Sequence, residues 1–220
     1  ANTEEGQFAL VNTLHDGAIY PCDIFDNEEI NSYKIRANQD GGLIQYLDKA
    51  SIQSFLDANS VTREKVLNGR HLREILNFFL KTKSLAGVPR EALANLAGEA
   101  KTRVFRAGET AIKQGEKGDT LFFVKSGRFS VTRDEAPNIR LEDPGPGTVL
   151  GEIAVLTGEP RSATVTAIED ATVYQVSGDI FRNFVSEHQE LSKQLRLMTQ
   201  ERLSHAEKTV KAAQIQTQKK

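Results

Sequence analysis

The feature that most constrains this chain is a change of period at Lys101. From there to about Val176, runs of four to six β-prone residues alternate with glycine turns. Thr102 to Phe105, Thr120 to Lys125, Arg128 to Thr132, Asn138 to Leu141, Ala163 to Ala167 and Ala171 to Val176 are the strand candidates. Ala107-Gly108, Gly115 to Asp119, Ser126-Gly127, Asp134 to Pro137 and Asp143 to Gly147 are the turns between them. Many short strands at regular spacing predict a β-sandwich or barrel.

Helical patterns flank this block. Ser60 is a good helix start, because its hydroxyl can accept from an orphan amide. Leu72, Ile75, Leu76, Phe79 and Leu80 then fall on one face at steps of three and four. Gly69 is expected to break that helix in two. Pro89 suits the first turn of a next helix, where its missing N–H costs nothing; Leu93 and Leu96 continue it and Gly98 stops it. After the strands, Ser177 is a plausible cap for an amphipathic turn pair carrying Ile180, Phe181, Phe184 and Val185. Leu191, Leu195 and Met198 extend the stripe. Beyond Ala206 lysine and glutamine dominate, and fraying is expected. Residues 1–59 read as a small β-rich α/β module, with a strand around Pro21, a return strand from Ser32 to Ile35 and a turn at Asp40-Gly41-Gly42. The domain reading is therefore 1–59 as an accessory module, 60–83 as a helical linker, 84–205 as the main domain and 206–220 as a polar tail.

Composition narrows the function. The 220 residues are 39% hydrophobic and 26% charged, with a net charge of −2. That is ordinary globular usage without a strongly basic nucleic-acid footprint. No apolar run approaches the roughly 20 residues of a membrane helix. The start of the chain, Asn2 to Gln7, is polar and acidic, unlike a signal peptide. The lone cysteine, Cys22, leaves neither an intramolecular disulfide nor a multi-thiolate zinc site. A cytoplasmic location without membrane contact is the expectation.

The chemically informative stretch is Gly151-Glu152-Ile153-Ala154, followed after one short helical turn by Pro160-Arg161-Ser162-Ala163. Gly151 lets backbone approach a ligand closely. The amides of Ile153 and Ala154 open a short helix, Glu152 to Leu156, and such an end attracts anions. Arg161 supplies a planar donor fork suited to phosphate oxygens. A carboxylate at Glu152 would repel a phosphate, and makes sense as an acceptor of sugar hydroxyls. One fork and one acceptor, a short helix apart, describe a phosphate joined to a sugar.

These residues resemble the phosphate-binding cassette of the cyclic nucleotide-binding domain family, shared by catabolite activator protein, protein kinase A regulatory subunits and cyclic nucleotide-gated channels. The resemblance spans roughly residues 83–202 and includes Gly108, Gly115, Gly118 and Gly127. It implies an α+β fold, an eight-stranded β-roll with jelly-roll-like topology and flanking helices. It implies that Glu152 contacts the ribose 2′-hydroxyl and Arg161 the cyclic phosphate. The amides of Ile153, Ala154 and Ala163 and the Ser162 hydroxyl would complete the cradle. It also implies that Ile180, Phe181 and Phe184 form a hinge and that Leu195 and Met198 belong to a lid helix. Serine at 162 leaves base choice open; cAMP is favoured over cGMP, and no metal is called for. The expected role is a bacterial-type receptor that signals to a protein effector through the first block or the last helix. Leu191, Leu195 and Met198 are equally compatible with a homodimer seam.

Other classes fare worse. A metal-dependent cupin wants histidines inside the barrel, yet His15, His71, His188 and His205 all lie outside 101–176. No nucleophile elbow, phosphate-binding P-loop or His-Glu-x-x-His is present, so an enzyme is not expected. The family's DNA-binding regulators carry a helix-turn-helix after the last helix, where this chain has a short polar tail. That role, or a regulatory fragment of a channel or other effector, is the alternative reading.

Overall fold

The computed structural model describes residues 60–218. The readings for residues 1–59, including Cys22 and His15, lie outside the described residues. Two compact units divide the chain between Val66 and Leu67, and apart from the first turns of the opening helix all that follows lies in the second.

Helix α1 (Ser60–Lys81) runs unbroken through Gly69. The expected break does not occur: one glycine costs a helix only about 1 kcal/mol, and Ile75, Leu76 and Phe79 further along the same helix are buried. Ile75, Leu76 and Phe79 lie in the same core as the sheet, so the C-terminal part of α1 packs on the roll. A short 3-10 turn (Lys83–Leu85) and helix α2 (Arg90–Glu99), which starts after Pro89, complete the leading bundle.

Seven strands follow among the described residues: β1 (Lys101–Phe105), β2 (Thr110–Ile112), β3 (Thr120–Ser126), β4 (Phe129–Thr132), β5 (Val149–Leu150), β6 (Thr164–Ala167) and β7 (Ala171–Ser177). They form two antiparallel sheets, ordered β1-β7-β3-β5 and β2-β6-β4. β2 and β5 are too short for their pattern to stand out in sequence. The candidate strand Asn138–Leu141 is not a strand; only isolated rungs flank it, Val131 against Glu142 and Arg133 against Ala136. Prolines at 137, 144 and 146 supply no amide, so a longer ladder cannot form there.

β3 and β7 are buried on both faces. Successive side chains alternate, so Phe122, Val124 and Val173 point between the sheets, while Leu121, Phe123, Tyr174 and Val176 point at the helices. The register sets Phe123 opposite Tyr174, and Phe79 from α1 lies 4.9 Å, centroid to centroid, from Phe123. This shared sheet fuses bundle and roll into one body.

Helix α3 (Glu152–Thr157) interrupts the strands, and α4 (Gly178–Ser186) and α5 (Gln189–Gln218) close the domain. α5 does not fray beyond Ala206. Ala206 and Val210, four residues apart, are buried against Leu141 and hold another turn to the roll.

Candidate functional site

The site begins where β5 ends. Gly151 takes a left-handed conformation, with φ at 81°. It turns the chain sharply into α3 and leaves room for Arg161: a Cβ on Gly151 would stand 2.6 Å from Arg161 Nη1. A side chain is thus barred by both backbone and space. The main chain of Arg161 is fixed to the β2–β3 turn, its N–H donating to Glu116 O at 2.8 Å and its carbonyl accepting from Gly115 N at 2.9 Å.

The guanidinium is held by backbone. Nη1 donates to Gly151 O at 2.8 Å and Nη2 to Thr120 O at 2.6 Å. Gly118 covers one side, since a Cβ there would sit 2.7 Å from Arg161 Nε and Cζ and 2.6 Å from Ala154 Cβ. Arg161 is 7% exposed and makes no ion pair among the described residues. Burial works against its charge, while Asp119, Glu152 and Glu116 support it at longer range. A buried cation with neutral hydrogen-bond partners is an incomplete arrangement, and an anion would complete it.

Glu152 is 1% exposed and does not pair with Arg161. Its Oε1 accepts from Arg202 Nη1, on α5, at 2.5 Å. The same Nη1 donates to Val149 O at 2.9 Å, and Arg202 Nε lies 3.7 Å from Glu142 Oε2. Burial pushes the Glu152 carboxyl up from its ordinary pKa, and Arg202 pulls against that. Sequence reasoning missed Arg202. A signal was there: it interrupts the stripe Leu191, Leu195, Met198, Ala206, Val210 at the helical step, where a charge needs a partner.

One pocket gathers all seven cassette residues expected to bind: Gly151, Glu152, Ile153, Ala154, Arg161, Ser162 and Ala163. Its other walls come from Ile112, Val131, Arg133, Leu141 and Val165 on the roll and from Arg202, Leu203 and Ala206 on α5. The hinge candidates stand apart. Phe181 and Phe184 are buried in the core between sheet and helices, with Ile180 packed against it. Ser177 Oγ accepts from Ile180 N at 3.4 Å, capping α4. A contact the sequence did not reveal ties α4 to the cassette: Arg182 Nη1 donates to Val155 O at 3.1 Å. Leu195 and Met198 join the same core and do not line the pocket; the α5 residues facing it lie one to two turns further on.

His71 Nε2 lies 3.2 Å from Thr102 Oγ1 and His188 Nδ1 lies 2.7 Å from Phe184 O. No cluster of three His, Cys, Asp or Glu among the described residues is arranged to hold a metal ion. No described helix is long and apolar enough to cross a membrane.

Residues 102–188 match the model of the cyclic nucleotide-binding domain. They form such a domain. The chain is 32% identical over 111 residues to a cyclic nucleotide-gated potassium channel of Rhizobium etli, covering 50% of this chain and 30% of that one. It is 30% identical over 112 residues to the CRP-like cAMP-activated global transcriptional regulator of Mycobacterium tuberculosis, covering 50% of each. It thus spans half or less of the length of these relatives. The structure of PKAR CBD2 bound to Sp-2Cl-cAMPS superposes with a TM-score of 0.55 at 21% identity, covering 62% of this chain and 92% of that one. At that identity the likeness speaks for the fold: a domain of antiparallel sheets with flanking helices.

Proposed function

We propose that the domain is a cyclic nucleotide receptor, with cAMP the favoured ligand, that regulates a partner rather than catalysing a reaction. The observation that carries this reading is Arg161. A buried guanidinium held in place by two carbonyls, with no carboxylate in ion-pair contact among the described residues, faces the pocket it shares with Glu152. That is a preorganised anion seat, because the donors need not be ordered when the ligand arrives. The cyclic phosphate takes Arg161, and Ser162 and the amides of Ile153, Ala154 and Ala163 finish the cradle. Glu152 accepts from the ribose, and the base extends toward Val131, Leu141 and Leu203.

Output follows from how the cassette is tied to the rest. α3 touches α4 through Arg182, and α4 shares its core with α5. A ligand that shifts α3 biases both helices, to the extent that it binds the two arrangements with different affinity. The partner in this reading is a protein engaged through residues 1–59 or through α5.

Calorimetry with cAMP and cGMP tests the reading. Arg161→Ala should weaken cAMP binding about 10- to 150-fold, the ~1.5–3 kcal/mol of a charged hydrogen bond. Glu152→Ala should weaken cAMP while leaving 2′-deoxy-cAMP almost unaffected. An unchanged dissociation constant for the arginine variant, or equal losses for both nucleotides in the glutamate variant, overturns the assignment.

A further inference from the structure

One arginine of the pocket has no partner. Val131, in β4, and Arg133, just past its end, stand two residues apart and both line the pocket, as alternation along a strand requires. The backbone there is pinned: Ala136 N donates to Arg133 O at 3.0 Å, and Asp134 N to Gln114 Oε1 at 2.9 Å. The side chain is not. Its Nε is shielded from water without a hydrogen-bond partner, and the guanidinium makes no ion pair among the described residues. The neighbouring acids are engaged elsewhere. Glu142 Oε2 lies 3.7 Å from Arg202 Nε, and Glu135 accepts from Gln114 Nε2 at 3.3 Å. A shielded N–H without an acceptor is costly, and an accepting ligand atom would remove that cost.

We propose that Arg133 reads the base, donating to N7 of a purine ring, so that the pocket selects purine over pyrimidine cyclic nucleotides. The proposal rests on the receptor reading above. That reading gives the phosphate to Arg161, the ribose to Glu152 and the base to the wall of Val131, Leu141 and Leu203. Arg133 adjoins this wall through Val131, and the base is the part of the ligand whose acceptors are still unused. Among those acceptors, N3 is crowded by the sugar at the glycosidic bond, and N1 carries a proton in guanine. N7 is open and unprotonated in both purines, and arginine uses it when it recognises a purine edge. A pyrimidine has no counterpart to it. The bond is charge-assisted, and so is short and directional. Guanine adds O6 beside N7, and a guanidinium fork can meet both. The same residue therefore makes cGMP a second ligand of the site.

Calorimetry on the full chain tests this with cAMP, cGMP, cCMP, 1-deaza-cAMP and 7-deaza-cAMP, in which a C–H replaces N7. Wild type should bind 7-deaza-cAMP and cCMP about 10-fold or more weakly than cAMP, the low end for a hydrogen bond to a charged group. It should bind 1-deaza-cAMP about as well as cAMP. Arg133→Met keeps the aliphatic stem and loses the donors, and should hold cAMP and 7-deaza-cAMP alike. Arg133→Ala should do the same with less side chain to misplace, and melting curves identify a variant that misfolds. If wild type holds 7-deaza-cAMP or cCMP as tightly as cAMP, if the loss falls on 1-deaza-cAMP instead, or if a folded Arg133 variant still discriminates against 7-deaza-cAMP, the base-reading role is overturned and the receptor stands. If wild type takes up neither cAMP nor cGMP at millimolar concentration, the receptor reading fails and this inference with it.

Discussion

The two ends of the cassette solve the same problem by different means. At one end, the buried charge of Arg161 is held by its own neighbourhood: the carbonyls of Gly151 and Thr120 and the bare backbone at Gly118. At the other, the buried Glu152 carboxyl is held by a side chain from α5, fifty residues away. The first arrangement is fixed by backbone of β3 and of the left-handed turn at Gly151. The second depends on the packing of α5 against the roll. The backbone-held part of the pocket thus sits around Arg161, and the part held by a distant element sits at Glu152.

This contrast is broken most severely at Arg161. Arg161→Ala strands two half-buried carbonyls, and each unsatisfied group costs about 1–3 kcal/mol when water cannot reach it. Urea denaturation should show a stability loss of about 3 kcal/mol in addition to the affinity loss, whereas a surface-like loss below about 0.5 kcal/mol would mean the carbonyls are served by other donors. A subtler route is Gly118→Ala. Its methyl would overlap Ala154 and Arg161 and displace the guanidinium, at about 1–3 kcal/mol for overpacking. Nucleotide affinity should fall with it; unchanged affinity would mean that the fork adjusts freely.

The Glu152 end should show its character in pH dependence. Burial raises the Glu152 pKa, so the folded state holds that proton more tightly than the unfolded chain does. Its contribution is most favourable below the ordinary glutamate value of 4.5 and is lost as pH rises through the raised folded value. Glu152→Gln should remove that slope from a urea series run upward from about pH 4, and Arg202→Gln should steepen it. A Glu152→Gln slope identical to wild type would show that another group sets it.

The smallest effect is expected far from the pocket. Asp170 accepts from Ala107 N at 3.0 Å and from Arg106 Nη1 at 2.6 Å, and both side chains are exposed. The Ala107 bond, then Arg106, holds its carboxyl below the ordinary value. The contribution is therefore present above the unfolded aspartate pKa and fades as pH falls through the depressed one. Asp170→Asn should lower the melting temperature slightly near neutral pH and leave nucleotide binding unchanged. A change in binding would join this corner of the roll to the site.

The amount legible in the sequence follows the range of the interactions. Five of the six strand candidates are strands, because short β-prone runs bounded by glycine turns are a local pattern. β2 and β5 escaped because two or three residues carry no period. Asn138–Leu141 misled because its apolar residues pack without a ladder, beside prolines that cannot pair. The cassette residues were legible because Gly151 to Ala163 lie within one loop and helix, so their order along the chain is nearly their order in space.

The sequence by itself therefore determined that a glycine-punctuated β domain presents a carboxylate and a guanidinium on either side of a short helix. Only the tertiary structure decided which partner each charge takes. Arg161 could have met Glu152 and instead meets backbone; Glu152 meets Arg202, whose place depends on how α5 lies across the roll. Periodicity and turn chemistry act over a few residues and can be read along the chain, whereas the pairing of buried charges is settled by packing between elements that the chain brings together only when folded.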